Sequence, residues 1–200
     1  NAALTPQEFL LTRTGENPRL IAYWPFDRDA PLDDASGHGF TLALKDAGAV
    51  DFKNGAAVFK GRSGLYTPAP IFPLSPFEAV TVEFFARATD TKGAPMLIEL
   101  SRNYGDFPGA FIVSTGLMED NKMGAAYRTS DGYNSEQAAT GALTDGAWHH
   151  IAYVIDRTAP SSTERSRLYL DGIRQTRHFS SSEAPPFVDN QQLFLGWRGA

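Results

Sequence analysis

Cysteine is absent from this chain of 200 residues. That excludes disulfides, zinc–thiolate centres and thiol nucleophiles. It does not place the protein in a reducing compartment, because exported domains also do without cysteine. Long apolar runs are missing too. None approaches the ~20 residues of a membrane span, and no signal peptide is visible. The abrupt opening Asn1-Ala2-Ala3 fits a mature form or an excised domain, with Asn1-Ala2 readable as a tag remnant. Basic runs are lacking: Lys and Arg number 18 against 23 Asp and Glu, a net charge of −5. Nucleic acid demands a basic face, so the balance points to a neutral ligand, a cation or a protein partner. No G-x-S-x-G elbow, P-loop or H-E-x-x-H helix occurs.

What is present is β pattern. Strands are expected over Leu20–Phe26, Phe40–Leu44, Ala56–Phe59, Ala79–Arg87, Met96–Ser101, Ala110–Ser114, Met123–Thr129, His149–Asp156, Arg167–Leu170, Ile173–Arg177 and Gln192–Trp197. Short runs divided by Gly, Pro, Asn and Asp suggest a sandwich or barrel. In Ala79–Arg87, Val80, Val82, Phe84 and Ala86 share one face, and Thr81, Glu83, Phe85 and Arg87 the other. Asp171-Gly172 is a hairpin signal, since both central residues of its turn need positive φ. At the front, Thr5 caps, Pro6 fits the first helical position and Glu8 reaches back, so a short helix is expected over 6–13, stopped by Gly15 and Pro18. Residues 1–18 read as this helix and a linker, and 19–200 as one domain, a length that buries roughly 70% of the unfolded surface.

Trp148-His149-His150-Ile151-Ala152-Tyr153-Val154-Ile155-Asp156 holds two of the four histidines. Neighbours on a strand point to opposite faces, so the pair is ill-placed to chelate one ion. The expectation is that one histidine packs or bonds within the sandwich and the other faces a groove. Glycosidase chemistry needs two carboxylates about 5–9 Å apart. No E-x-D-x-E run supplies them; Glu83 and Glu99 stand alone and read as solvated, and Glu119-Asp120 belong to a turn.

Several segments in order resemble the bacterial laminin-G-like (LamG) jelly-roll family of the concanavalin A-like lectin/glucanase superfamily. They are Leu20-Ile21-Ala22-Tyr23-Trp24-Pro25-Phe26-Asp27; Asp34-Ala35-Ser36-Gly37-His38-Gly39, like its D-x-S-G-x-G turn; Ala57-Val58-Phe59 leading to Gly61 and Gly64; Ala79–Phe85, with Phe for a usual Trp; Trp148–Ala152, its W-H-H-V-A strand; and Leu168–Gly172, its L-Y-x-D-G hairpin. The resemblance covers about residues 20–197. It implies an all-β antiparallel sandwich, a concanavalin A-like jelly roll, in which the Trp and aromatic positions are mainly core. Family members close with a strand like I-D-E-V-R-I and a tail like N-x-A-L-T-x-x-E. Here the strand is missing while Ala3–Phe9 looks like the tail, so a neighbouring repeat or an edge-strand partner is expected to cover an exposed edge.

Two loops are candidate sites. Asp27, Asp29, Asp33 and Asp34 place four carboxylates in eight residues. Calcium takes six to eight oxygens, and related sandwiches often carry it on the rim. The competing reading is that Asp34 and Ser36 hold a turn while Arg28 neutralises its neighbours. Asn103, Tyr104, Asp106, Tyr133 and Asn134 combine rings with planar polar groups, the mix that sugar sites use. Alternatively the rings cover the core's ends, and Trp197 is either a further platform or half-buried. The resulting expectation is no enzyme but a non-catalytic module binding carbohydrate or an envelope glycan or protein, in an exported, surface or periplasmic setting. The rivals are an adhesion repeat acting by protein contacts and a polysaccharide hydrolase or lyase on the same fold.

Overall fold

The computed structural model describes residues 19–61, 63–71, 73–89, 96–102, 108–115, 123–130, 133–137, 143, 145–175, 177–179 and 183–197. The expected helix over 6–13 lies outside the described residues. Among them the strands are β1 (Ala43–Leu44), β2 (Val50–Lys53), β3 (Ala56–Phe59), β4 (Leu65–Tyr66), β5 (Ala79–Ala86), β6 (Met96–Ser101), β7 (Phe111–Thr115), β8 (Met123–Arg128), β9 (Tyr133–Gln137), β10 (His149–Asp156), β11 (Ser166–Leu170), β12 (Ile173–Arg174), β13 (Arg177–Phe179) and β14 (Gln192–Leu195), with one turn of helix, α1 (Ser162–Arg165). They form an eight-stranded sheet, β1-β4-β14-β6-β7-β8-β9-β13, a four-stranded sheet, β12-β11-β10-β5, and a β2-β3 ribbon. Among the described residues no helix is long and apolar enough to cross a membrane.

Alternation explains how the two larger sheets meet. β10 turns Ile151, Tyr153 and Ile155 inward, exposed by 1% or less, against Leu100, Val113, Met123, Ala125 and Tyr127 of the eight-stranded sheet. β5 adds Val80, Val82, Phe84 and Ala86 to the same core, the face its sequence predicts. Each such aliphatic or aromatic side chain contributes about 1.5–3 kcal/mol when fully buried. The Tyr153 ring meets Phe111 edge-on at 6.4 Å, and its hydroxyl bonds Ser166 Oγ at 3.0 Å, so the polar tip is not stranded in the core.

The Asp171-Gly172 hairpin forms as expected, with φ of 51° and 76°, joining Leu170 to Ile173. Asn54-Gly55 makes a second turn of this kind, with φ of 53° and 71°. It pairs β3 with β2, a strand absent from the sequence reading although Asn-Gly is its signal. Leu20–Phe26 is the reverse case: an expected strand that does not form. Its backbone groups are spent on the next turn instead. Tyr23 N donates to Asp34 Oδ1, Tyr23 O accepts from Ala35 N, and Phe26 sits at a φ of 56°. β14 is no edge strand, since β4 and β6 flank it.

The sandwich has two distinct ends. At one, β6 finishes at Ser101 and β8 at Arg128. β10 finishes there too: the Arg157 guanidinium lies 5.6 Å from the Phe187 ring, and Tyr127 Oη donates to Glu183 O in the same segment. At the other, β5 finishes at Ala86, β10 starts at His149 and the Asp171-Gly172 turn closes. The eight residues of β10 separate the two by roughly 25 Å.

Candidate functional site

The acidic loop is a turn rather than a cage. Asp34 Oδ1 accepts from Tyr23 N and Ser36 N, each at 2.9 Å. Its Oδ2 accepts from Ser36 Oγ at 2.8 Å and Phe40 N at 3.0 Å. Partial burial works to raise the pKa of this carboxyl, and these bonds outweigh it and hold the group below its usual range. Of Asp27, Asp29, Asp33 and Asp34, the last has both carboxylate oxygens engaged in these bonds, the contacts that the turn reading of this loop calls for. Among the described residues no group of three or more His, Asp or Glu is gathered for an ion, and Asp27, Asp29 and Asp33 are exposed.

At the first end, Gly109 N donates to Arg128 O at 2.8 Å and Arg128 N to Ala110 O at 2.7 Å. These bonds prolong the β7–β8 pairing. The connections after β6 and after β8 thus leave the sheet side by side. Asn103, Tyr104 and Asp106 lie in the first, outside the described residues. Tyr133 and Asn134 open β9, paired with Arg128 and Tyr127, so they stand at a strand start rather than in a free loop. The second connection is clipped down: Ser130 Oγ donates to Glu183 at 2.6 Å, and Ser130 N to the same carboxylate at 3.0 Å.

The same sheet overturns the reading of Glu99 as solvated, for the side chain is 0% exposed. It stands on the sheet face away from the main core, in one cross-strand row with Phe194 and Ile112, and Ser101 Oγ donates to its Oε1 at 2.7 Å. Burying a carboxyl is costly without compensating bonds, and groups so placed are enriched at functional sites. Its sequence signal was a single acid in the otherwise apolar Met96-Leu97-Ile98-Glu99-Leu100. Glu83 is half-buried on the small sheet.

At the second end His149 and His150 face opposite ways, as alternation requires. His149 bridges two carboxylates, with Nδ1 2.8 Å from Asp171 Oδ2 and Nε2 3.1 Å from Asp145 Oδ1. Asp171 Oδ1 also accepts from His150 N, and Asp145 Oδ1 from Ala147 N. The ring ties the start of β10 to the hairpin. His150 faces the other way, 5.0 Å from the Phe85 ring. Bonding to Asp171, opposed by burial and aided by Asp145, raises the His149 pKa above its ordinary 6.5. A raised histidine stabilises the fold fully below its unfolded value and loses that contribution as pH rises through the folded one. The unfolding midpoint is therefore expected to fall as pH climbs from just above 6.5. In His149→Gln that slope is expected to flatten; thermal melts across a pH series check it.

Tryptophan needs a further correction. Trp24 Nε1 donates to Phe40 O at 2.8 Å and Trp197 Nε1 to Leu65 O at 3.3 Å, both rings half-buried. Trp148, expected in the core, is 50% exposed. It precedes β10 by one residue and shares the outward parity of His150, opposite the core-facing Ile151, Tyr153 and Ile155.

Residues 59–200 match the family profile Laminin_G_3, described as the concanavalin A-like lectin/glucanases superfamily. The chain belongs to this family. No curated protein sequence matches it. Among solved structures, domains LG4-5 of the mouse laminin alpha1 chain are 14% identical with a TM-score of 0.44, covering 70% of this chain and 38% of that one. The Emp46p carbohydrate recognition domain in its potassium-bound form is 15% identical with a TM-score of 0.45, covering 80% and 81%. An endo-β-1,4-glucuronan lyase from the fungus Trichoderma reesei is 15% identical with a TM-score of 0.47, covering 79% and 78%. The family match corrects the expectation that the chain is no enzyme: the superfamily it names takes in glucanases as well as lectins, so neither the architecture nor the lack of a catalytic motif sets catalysis aside.

Proposed function

We propose that the chain is a carbohydrate-binding domain of an exported protein, taking sugar where the connections after β6 and β8 leave the eight-stranded sheet together. The observation that carries this reading is that convergence, Gly109–Arg128 bonding on one side and the Ser130–Glu183 clip on the other. The β6 end at Ser101, from which the chain runs on to Asn103, Tyr104 and Asp106, thus shares one end of the sheet with the β9 start at Tyr133 and Asn134. A rigid strand end supporting ring and amide side chains suits a pyranose, whose C–H face wants a flat ring and whose hydroxyls want fixed partners. Substituting Tyr104 and Tyr133 together by alanine is expected to weaken retention in polysaccharide-containing gels about tenfold or more, with the unfolding midpoint little changed. Equal retention of variant and parent contradicts the reading.

A second reading rests on Glu99. A buried carboxyl on the sheet face that ends at this same loop cluster supports a polysaccharide hydrolase or lyase. New chain ends in a polysaccharide incubated with the protein are its signature.

A further inference from the structure

Trp148 is the feature that neither the core nor the loop cluster absorbs. Large aromatic side chains normally bury about 150–250 Å² and satisfy their polar tip. This ring is 50% exposed. Its indole N–H makes no hydrogen bond among the described residues, unlike those of Trp24 and Trp197. The Arg87 guanidinium stands over it at 5.0 Å and forms no ion pair among the described residues. Asp145 and Asp171, with side chains 57% and 48% exposed, flank the same strand end and are fixed by His149. One oxygen of Asp145, Oδ2, accepts no hydrogen bond among the described residues. Ring, open donors and open acceptor thus stand just beyond the paired ends of β5 and β10, with Asp145 fixed there by His149.

We infer that Trp148, Arg87 and Asp145 form a second sugar site, specific for neutral pyranosides, at the end of the sandwich opposite the loop cluster. The ring offers a platform for a C–H face. The indole N–H and guanidinium donate to hydroxyl oxygens, and the Asp145 carboxylate accepts from hydroxyls. Charge favours a neutral ligand: the Arg87 guanidinium stands with the Asp145 and Asp171 carboxylates at one strand end, so neither a uronate nor an amine meets a surface of one sign. A linear glycan reaching both ends would gain avidity from two weak contacts.

The test is titration of the chain with cellohexaose, laminarihexaose and mannohexaose, followed by intrinsic fluorescence and calorimetry. At least one hexasaccharide is expected to perturb tryptophan emission. Trp148→Ala is expected to abolish that change and weaken binding about tenfold, and Arg87→Ala to weaken it less. Because Trp148 is half-exposed, both variants are expected to keep the parent's unfolding midpoint. Tyr133→Ala is expected to leave the Trp148 signal intact. Binding lost in Tyr133→Ala but retained in Trp148→Ala overturns this inference and leaves the loop-cluster reading standing. No binding of any hexasaccharide overturns it as well, and polysaccharide retention at the loops then decides the first reading separately.

Discussion

Asp34→Ala is expected to lower unfolding stability by about 3 kcal/mol. Three backbone N–H groups, of Tyr23, Ser36 and Phe40, lose their acceptor at once. Hydrogen bonds to a charged acceptor contribute about 1.5–3 kcal/mol each, and half-buried donors recover part of that from water. The carboxylate also pins the segment that carries Trp24, which packs against the main core and against the cluster of Leu42, Val50 and Leu65. Asp34→Asn is expected to lose less, because one amide oxygen still accepts where Oδ1 does. The pH dependence has a definite sign. A carboxyl with a folded pKa below its ordinary 3.8 stabilises fully above that value and loses the contribution as pH falls through the folded one. The gap between parent and Asp34→Ala should hold steady near neutrality and close below about pH 4. Calcium should move neither midpoint. Urea unfolding at several pH values checks the set; a variant within about 0.5 kcal/mol of the parent contradicts it.

Gly64→Ala is expected to cost about 2–3 kcal/mol. The strain is spatial rather than torsional. A Cβ at this position collides with the Leu195 carbonyl oxygen and with Cδ1 of Trp197. The first is backbone of β14, held between β4 and β6. The second belongs to an indole pinned by its bond to Leu65 O and by edge contact with Phe194 at 5.4 Å. Neither yields cheaply, so β4 must shift away from β14. Gly37, whose Cβ would meet nothing within 4 Å, is the control for crowding, although its φ of 90° makes alanine strained there too. Equal stability of Gly64→Ala and the parent would contradict the close β4–β14 approach.

The sequence carried the architecture where a rule of local chemistry acts alone. Alternation in Ala79–Ala86 assigned the core face. Asp171-Gly172 set a hairpin because few other pairs tolerate two positive φ values. Asp34 and Ser36 formed the turn that competed with calcium, since short polar side chains bond nearby backbone. Failures arose where the answer depends on distant chain. Glu99 lies on the face alternation assigns it, but alternation does not say whether a face is covered. Trp148 follows the outward parity of His150, and composition alone did not separate an exposed indole from a core one. Leu20–Phe26 has strand composition, and its hydrogen bonds were claimed by a turn a dozen residues later. The two-residue β4 is too short for any periodicity to mark, whereas β1 and β12 fall inside the expected Phe40–Leu44 and Ile173–Arg177. Of the sugar-site residues, ring and amide composition was legible, whereas the meeting of two connections at one sheet end is a matter of topology.

The most direct test of the sugar-binding account is a polysaccharide and glycan array probed with the whole chain, once with calcium and once with EDTA. The account predicts retention of a defined set of glycans that is equal in both conditions. An array blank in both conditions would contradict the account, and binding abolished by EDTA would contradict its placement of the acidic loop as a turn.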